Sequence, residues 1–197
     1  MSLAVLVSGT GSILDAMMAA GLPVALVVSD RPCPAIALAA DHDVEAVVVH
    51  RDSFGDDFDR DAYTVRLTEL LVDRGVSLVA MAGFGTILGQ PVYDRFAGHI
   101  LNTHPALLPA FPGGHAVRDA LAHGVTVTGC TVHLATLEVD AGPILAQGTV
   151  EVRPDDDEAS LHERIKAVER RLYVDTIRSV LGGEPPVPAG ASGGASA

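Results

Sequence analysis

The chain has 197 residues, with 13 Lys and Arg against 25 Asp and Glu, giving a net charge of −12. This length suits one α/β domain with a sizeable core, and the acidic balance argues against duplex nucleic acid or an anionic membrane as partner. Cys33 and Cys130 are too few for a disulfide framework, the chain opens on a strand-like run rather than a signal peptide, and no apolar stretch reaches the roughly 18 residues that span a bilayer, so a cytoplasmic location is expected.

In chain order, residues 3–7, 24–28, 46–49 and 76–81 are short, almost continuously apolar runs rich in Val. Strands buried on both faces of a parallel sheet read this way. Between them lie helix candidates at 12–20, 33–42 and 57–74, the last with Tyr63, Leu67, Leu70 and Leu71 on one face. Four βα repeats predict a Rossmann-like, mostly parallel twisted sheet flanked by helices. From His99 the pattern changes. A strand over 99–103 meets Pro105, Pro109 and Pro112, which force a rigid loop. A helix near 115–123 and two strands, 125–135 and 144–152, follow, joined by a turn carrying Asp140-Ala141-Gly142-Pro143. The closing helix starts at the acidic run Asp155 to Glu158, with Ser160 and Glu163 as an expected capping box and Leu161, Ile165, Val168 and Leu172 as its apolar stripe. One domain is expected over 1–181, with a disordered Gly/Pro/Ala/Ser-rich tail over 182–197.

Ser8-Gly9-Thr10-Gly11-Ser12 falls between the first strand and the first helix, where glycines let the backbone approach an anion and the helix end supplies N–H donors. A phosphate cradle is one reading and a tight turn that binds nothing is another. A dinucleotide site is a third, because Asp30 ends the second strand where a ribose-binding acid would stand. Leu14 replaces the third glycine of that fingerprint, however, and no Gly-Lys-Ser/Thr follows to make a P-loop.

Asn occurs once in the chain, at Asn102, two residues before His104 and three before Pro105. On a strand, residues two apart project to one face, and carboxyl ends of parallel strands are where open α/β sheets bind ligands. A neutral amide N–H donates to a developing oxyanion, and an imidazole moves protons near neutral pH. A carboxylate must orient that imidazole, and Glu138 and Asp140 are equal candidates on chemistry alone.

These residues lie within Leu101-Asn102-Thr103-His104-Pro105-Ala106-Leu107-Leu108-Pro109, Phe111-Pro112-Gly113-Gly114-His115, Gly129-Cys130-Thr131-Val132-His133 and Asp140-Ala141-Gly142-Pro143-Ile144-Leu145-Ala146-Gln147. The ordered set resembles the folate-dependent phosphoribosylglycinamide formyltransferase family over residues 3 to 181. The resemblance implies a transferase of purine synthesis whose co-substrate is 10-formyltetrahydrofolate and whose acceptor is glycinamide ribonucleotide, with no metal and a homodimer left open. It also implies roles: Asn102 for the oxyanion, His104 as general acid/base, Asp140 as the aspartate behind it. Thr10, Gly11, Ser12 and Ile13 are implied at the ribotide phosphate, and Glu169, at the flank of the last helix's stripe, at the glycinamide end. Arg60 and Gly85, Thr86, Ile87 and Leu88 are implied at the folate. His133 is expected near the site, in a packing role or a functional one.

Three positions depart from the family pattern. Ile13 stands where Asn is common, Thr86 where Arg is common and Ala110 where Lys is often seen. Fewer cations beside anionic ligands should raise KM more than they lower kcat. Two other readings stay open, a formyltetrahydrofolate hydrolase and a non-catalytic nucleotide-binding module. The related formylation of methionyl-tRNA fits poorly with an acidic chain.

Overall fold

The computed structural model describes residues 1–183, in two compact units, one from Met1 to Asn102 and one from Thr103 onward. Beyond Gly183, the expected tail lies outside the described residues.

The first unit runs β1 (Leu3–Val7), α1 (Ser12–Ala19), β2 (Val24–Ser29), α2 (Pro34–Asp41), β3 (Glu45–Val48), α3 (Arg60–Asp73), β4 (Leu78–Met81), α4 (Gln90–Arg95) and the first three residues of β5 (Ile100–His104). All five residues of β1 are fully buried. The reason is its place: β1 pairs in parallel with both β2 and β4, β2 with β3, and β4 with β5. A central strand has no solvent face, so its sequence does not alternate. The strands after β1 are added outward on one side of it and, from β4, on the other, and the crevice at that switch is where such sheets bind ligands.

Two details differ from expectation. Val76 and Ser77 lie outside β4, because Gly75 (φ 63°) ends α3 and the Val76 N–H donates back to the Leu71 carbonyl. α4 was not foreseen: with six residues and an early proline it is too short to show a period.

The second unit holds the end of β5, α5 (Ala116–Ala122), β6 (Val127–Leu134), β7 (Ile144–Glu151) and α6 (Glu158–Leu181). β6 and β7 form an antiparallel pair from Val127–Glu151 to His133–Ile144. Leu161 and Ile165 of α6 pack with Val117, Cys130 and Val150, and Val168 and Leu172 flank that cluster. The α6 cap corrects the expected one. Asp157 is the N-cap, accepting from the Ser160 N–H at 2.8 Å, and Ser160 Oγ accepts from the Asp157 N–H at 3.1 Å. Ser160 therefore answers the cap from inside the helix instead of forming it with Glu163.

The strand order is β3-β2-β1-β4-β5-β6-β7, so the sheet is mostly parallel with an antiparallel edge, as the α/β reading expects. Among the described residues no helix is long and apolar enough to cross a membrane.

Candidate active site

In the first unit, β1 and β4 are parallel neighbours, so the loops that follow them leave the sheet at the same end. They are joined directly: the Ser8 N–H donates to the Gly83 carbonyl at 3.2 Å and the Gly85 N–H to Ser8 Oγ at 2.7 Å. Gly11 is the N-cap of α1 in the left-handed region (φ 81°), and no side chain caps the helix. A Cβ on Gly11 would stand 2.8 Å from the Ala35 Cβ. Two constraints therefore demand glycine here, and Gly11→Ala should cost about 2–4 kcal/mol, measured as a loss in denaturant midpoint. Thr10 is exposed, Ser12 half-buried and Ile13 buried, so the loop offers an anion the backbone N–H groups of the first turn and not the position-13 side chain.

Asp30 is not presented to a ribose. Its side chain is fully buried, accepting from Arg31 Nε at 2.9 Å, Arg31 Nη2 at 2.8 Å and Thr86 Oγ1 at 2.7 Å. Burial raises its pKa, but these hydrogen bonds and the Arg31 charge more than reverse this and hold it below the usual carboxylate value. This removes the residue on which the dinucleotide reading rested. Along 85–88 burial alternates: Thr86 and Leu88 are buried, whereas Gly85 and Ile87 are exposed. Arg60 is exposed on the first turn of α3, and the loop is tied to that turn by the Gly89 N–H donating to Thr64 Oγ1 at 2.8 Å.

In the second unit, His104 at the end of β5 is buried, and its Nδ1 lies 3.3 Å from Asp140 Oδ2. Its Nε2 lies 2.8 Å from the Phe111 carbonyl. Both ring nitrogens thus face oxygens that only accept. Asp140 resolves the choice left open by the sequence, since Glu138 is exposed. Asp140 adopts a left-handed backbone (φ 56°), and its Oδ2 also accepts the Gly113 N–H at 2.8 Å. Its other oxygen lies 3.6 Å from His133 Nε2, while His133 Nδ1 lies 2.9 Å from the Leu134 carbonyl. Burial pushes the Asp140 carboxyl up, but His133, the Gly113 N–H and the charge of His104 outweigh this and keep it below its ordinary value. His133 is therefore a second imidazole on the same carboxylate, not a packing residue alone.

Sequence reasoning missed the brace behind this site. Thr131 Oγ1 donates to the Ala106 carbonyl at 2.7 Å and accepts from the Leu108 N–H at 3.0 Å. Gln147 Nε2 lies 2.9 Å from both Thr131 Oγ1 and the Leu108 carbonyl. Together they pin the proline loop that supplies Phe111. Glu169 lies within the buried stripe of α6, not at its flank, and Thr103 Oγ1 donates to it at 2.8 Å. Burial raises its pKa, opposed by the Thr103 hydrogen bond and the charges of Lys166 and Arg170. Asn102, the last residue of the first unit, is half-buried on β5 and pairs through its backbone with Met81. It stands two positions before His104 on that strand, so the pleat gives both side chains one face. Among the described residues, no three His, Cys, Asp or Glu are grouped so as to hold a metal ion.

Relatives of known activity share this plan. Residues 1–177 match the family described as Formyl transferase. The chain is 48% identical over 183 residues to phosphoribosylglycinamide formyltransferase of Mycobacterium tuberculosis, covering 90% of this chain and 84% of that protein. It is 34% identical over 187 residues to the human trifunctional purine biosynthetic protein adenosine-3, covering 91% of this chain and 18% of that one. Among solved structures, glycinamide ribonucleotide transformylase 1 of Symbiobacterium toebii superposes with a TM-score of 0.87 at 39% identity, over 93% of this chain and 88% of that one. The corresponding enzyme of Geobacillus kaustophilus gives 0.83 at 36% identity, over 92% and 98%. With the match spanning nearly all the described residues, this chain belongs to the formyl transferase family.

Proposed function

We infer that this chain transfers the formyl group of 10-formyltetrahydrofolate to the amine of glycinamide ribonucleotide, releasing formylglycinamide ribonucleotide and tetrahydrofolate. The observation that carries this reading is the buried His104–Asp140 pair with Asn102 two residues ahead of it on the same strand. The acceptor amine attacks the formyl carbon, and the carbonyl oxygen becomes an oxyanion to which the Asn102 amide N–H donates. His104 carries the proton from the attacking amine to the departing folate nitrogen, and Asp140 stabilises the imidazolium between those steps. The C–N bond to the folate then breaks as the new amide is complete. The N–H groups of Thr10, Gly11, Ser12 and Ile13 serve the ribotide phosphate, Glu169 the glycinamide amine, and Arg60 with Gly85 to Leu88 the folate. In this reading residues 1–181 form one catalytic domain acting in the cytoplasm.

One assay with a control tests it: consumption of 10-formyltetrahydrofolate with and without glycinamide ribonucleotide. Turnover is expected only when the ribotide is present. Turnover that ignores the ribotide would make the chain a hydrolase, and none in either arm would leave a binding module.

Glu169 supplies a further expectation. Its folded pKa is raised, so ionising it costs stability as pH rises from the ordinary glutamate value through the raised one. Glu169→Gln should therefore be more stable than wild type at pH 7, with the gap closing at acid pH where Glu169 is protonated in both states. Its ribotide KM should nevertheless rise about tenfold, through loss of a charged hydrogen bond to the amine. Thermal unfolding at the two pH values and a ribotide titration check both halves. A variant less stable at pH 7 with an unchanged KM would make Glu169 a structural residue.

A further inference from the structure

The β6–β7 pair carries two polar side chains that the mechanism above does not use. Thr131 and Gln147 stand opposite each other in its register. Thr131 Oγ1 donates to the Ala106 carbonyl and accepts from the Leu108 N–H, and Gln147 Nε2 lies 2.9 Å from both Thr131 Oγ1 and the Leu108 carbonyl. Both amide hydrogens of Gln147 are thereby engaged. Gly129, two residues before Thr131, leaves room for Leu107, since a Cβ there would stand 3.0 Å from the Leu107 side chain. Segment 106–108 is thus seated on the two strands through three of its backbone groups. The Ala110 N–H donates to the Leu107 carbonyl at 3.0 Å, which carries the hold further along the loop. Phe111 follows in the left-handed region (φ 53°) without being glycine, a conformation that persists only where the surroundings impose it. Its carbonyl returns to the ring of the residue that opens the loop, 2.8 Å from His104 Nε2. The other nitrogen of that ring faces Asp140, which His133, two residues on from Thr131, faces in turn. A loop whose two ends meet on one imidazole sets that ring by where its middle is held, and Gln147 holds the middle from β7.

We propose that Gln147 is a positioning residue for proton transfer by His104: its amide fixes segment 106–108 and, through Phe111, the direction in which His104 Nε2 points. This rests on the formyl-transfer reading and deepens it. With Nδ1 turned to Asp140, Nε2 is the nitrogen that meets the acceptor amine and then the departing folate nitrogen. Proton transfer is sensitive to that placement, and a misplacement of about 1 Å costs up to about 10²-fold in rate. Methionine at position 147 would fill a similar volume and donate nothing, so the Leu108 carbonyl would lose this partner and the loop would keep only the hold of Thr131. Because Gln147 acts on the ring through the loop, the cost falls on the proton-transfer step and not on substrate binding.

The test follows Gln147→Met and Gln147→Glu in kcat, in both KM values and in the ring-nitrogen resonances of histidine-labelled protein, with the His104 signals assigned by their loss in His104→Gln. Gln147→Met should lower kcat about tenfold with both KM values within a few fold. It should also move the His104 ring resonances while those of His42 and His162 stay in place. Gln147→Glu, which sets an acceptor against the Leu108 carbonyl, should be at least as slow. Gln147→Met carries the test alone if Gln147→Glu fails to fold. A wild-type kcat in Gln147→Met overturns the proposal whatever its melting temperature, and makes Gln147 a structural brace. So does a lowered kcat with unmoved His104 resonances, and so does a loss confined to either KM. A wild type that consumes no donor removes the formyl-transfer reading. The His104 resonances then decide this inference alone, sustaining it if they shift in Gln147→Met and overturning it if they do not.

Discussion

Asp140→Asn should lower kcat by about 10³-fold and leave both KM values within a few fold. The substitution isolates charge from shape. Asp140 Oδ2 accepts the Gly113 N–H at 2.8 Å and lies 3.3 Å from His104 Nδ1, while Oδ1 faces His133 Nε2. An asparagine placed with its oxygen at the Oδ2 position keeps the Gly113 bond. Its NH₂ then points at His133 Nε2, an acceptor when Nδ1 donates to the Leu134 carbonyl. The turn is therefore preserved, and what disappears is the negative charge beside the His104 ring. In the proposed mechanism that charge stabilises the ring during proton transfer and not on substrate binding, so the loss should fall on kcat.

The same variant has a second readout. The Asp140 carboxyl is held below its ordinary value in the folded chain, so it contributes stability above the unfolded value and loses it as pH falls through the depressed one. Wild type should lose more stability than Asp140→Asn between about pH 5 and pH 3. Wild-type kcat in the variant, or an identical acid limb in both proteins, would remove Asp140 from the mechanism.

The sequence exposes what local periodicity controls. β1 reads as a buried strand because it has neighbours on both sides, and Asn102 and His104 read as a pair because a strand has period two and Pro105 ends it. It does not expose what depends on distant partners. Glu138 and Asp140 sit on one turn with the same chemistry, and only the left-handed backbone at Asp140 and its aim at His104 separate them. Thr131 and Gln147 look like ordinary polar residues on strands, since their partners Ala106 and Leu108 are 25, 23 and 39 residues away. Thr86 meets Asp30 across 56 residues, so a position that reads as a missing cation is in the structure a hydroxyl holding the carboxylate that positions another cation. Glu169 did leave a signal. It continues the four-residue spacing of Leu161 and Ile165 toward Tyr173, and all four are buried, so a carboxylate inside that stripe marks a group held there against its desolvation cost.

Asn102→Ala should lower kcat by about 10²–10³-fold with little change in ribotide KM, and Asn102→Asp should be the more damaged of the two. Asn102 lies on β5, where its backbone pairs with Met81, so neither substitution removes a sheet hydrogen bond. Alanine deletes the donor and leaves water to solvate the oxyanion. Aspartate keeps the side-chain shape but offers an acceptor, and it sets a negative charge where another must form. The order wild type, Ala, Asp is the signature of a group that acts by donating to developing charge. A steric or packing role predicts the reverse order for the two variants, because aspartate fills the space that alanine leaves empty. Measuring kcat for the pair, at a pH where the introduced carboxyl group is ionised, therefore separates the two explanations in a way that the alanine variant alone does not.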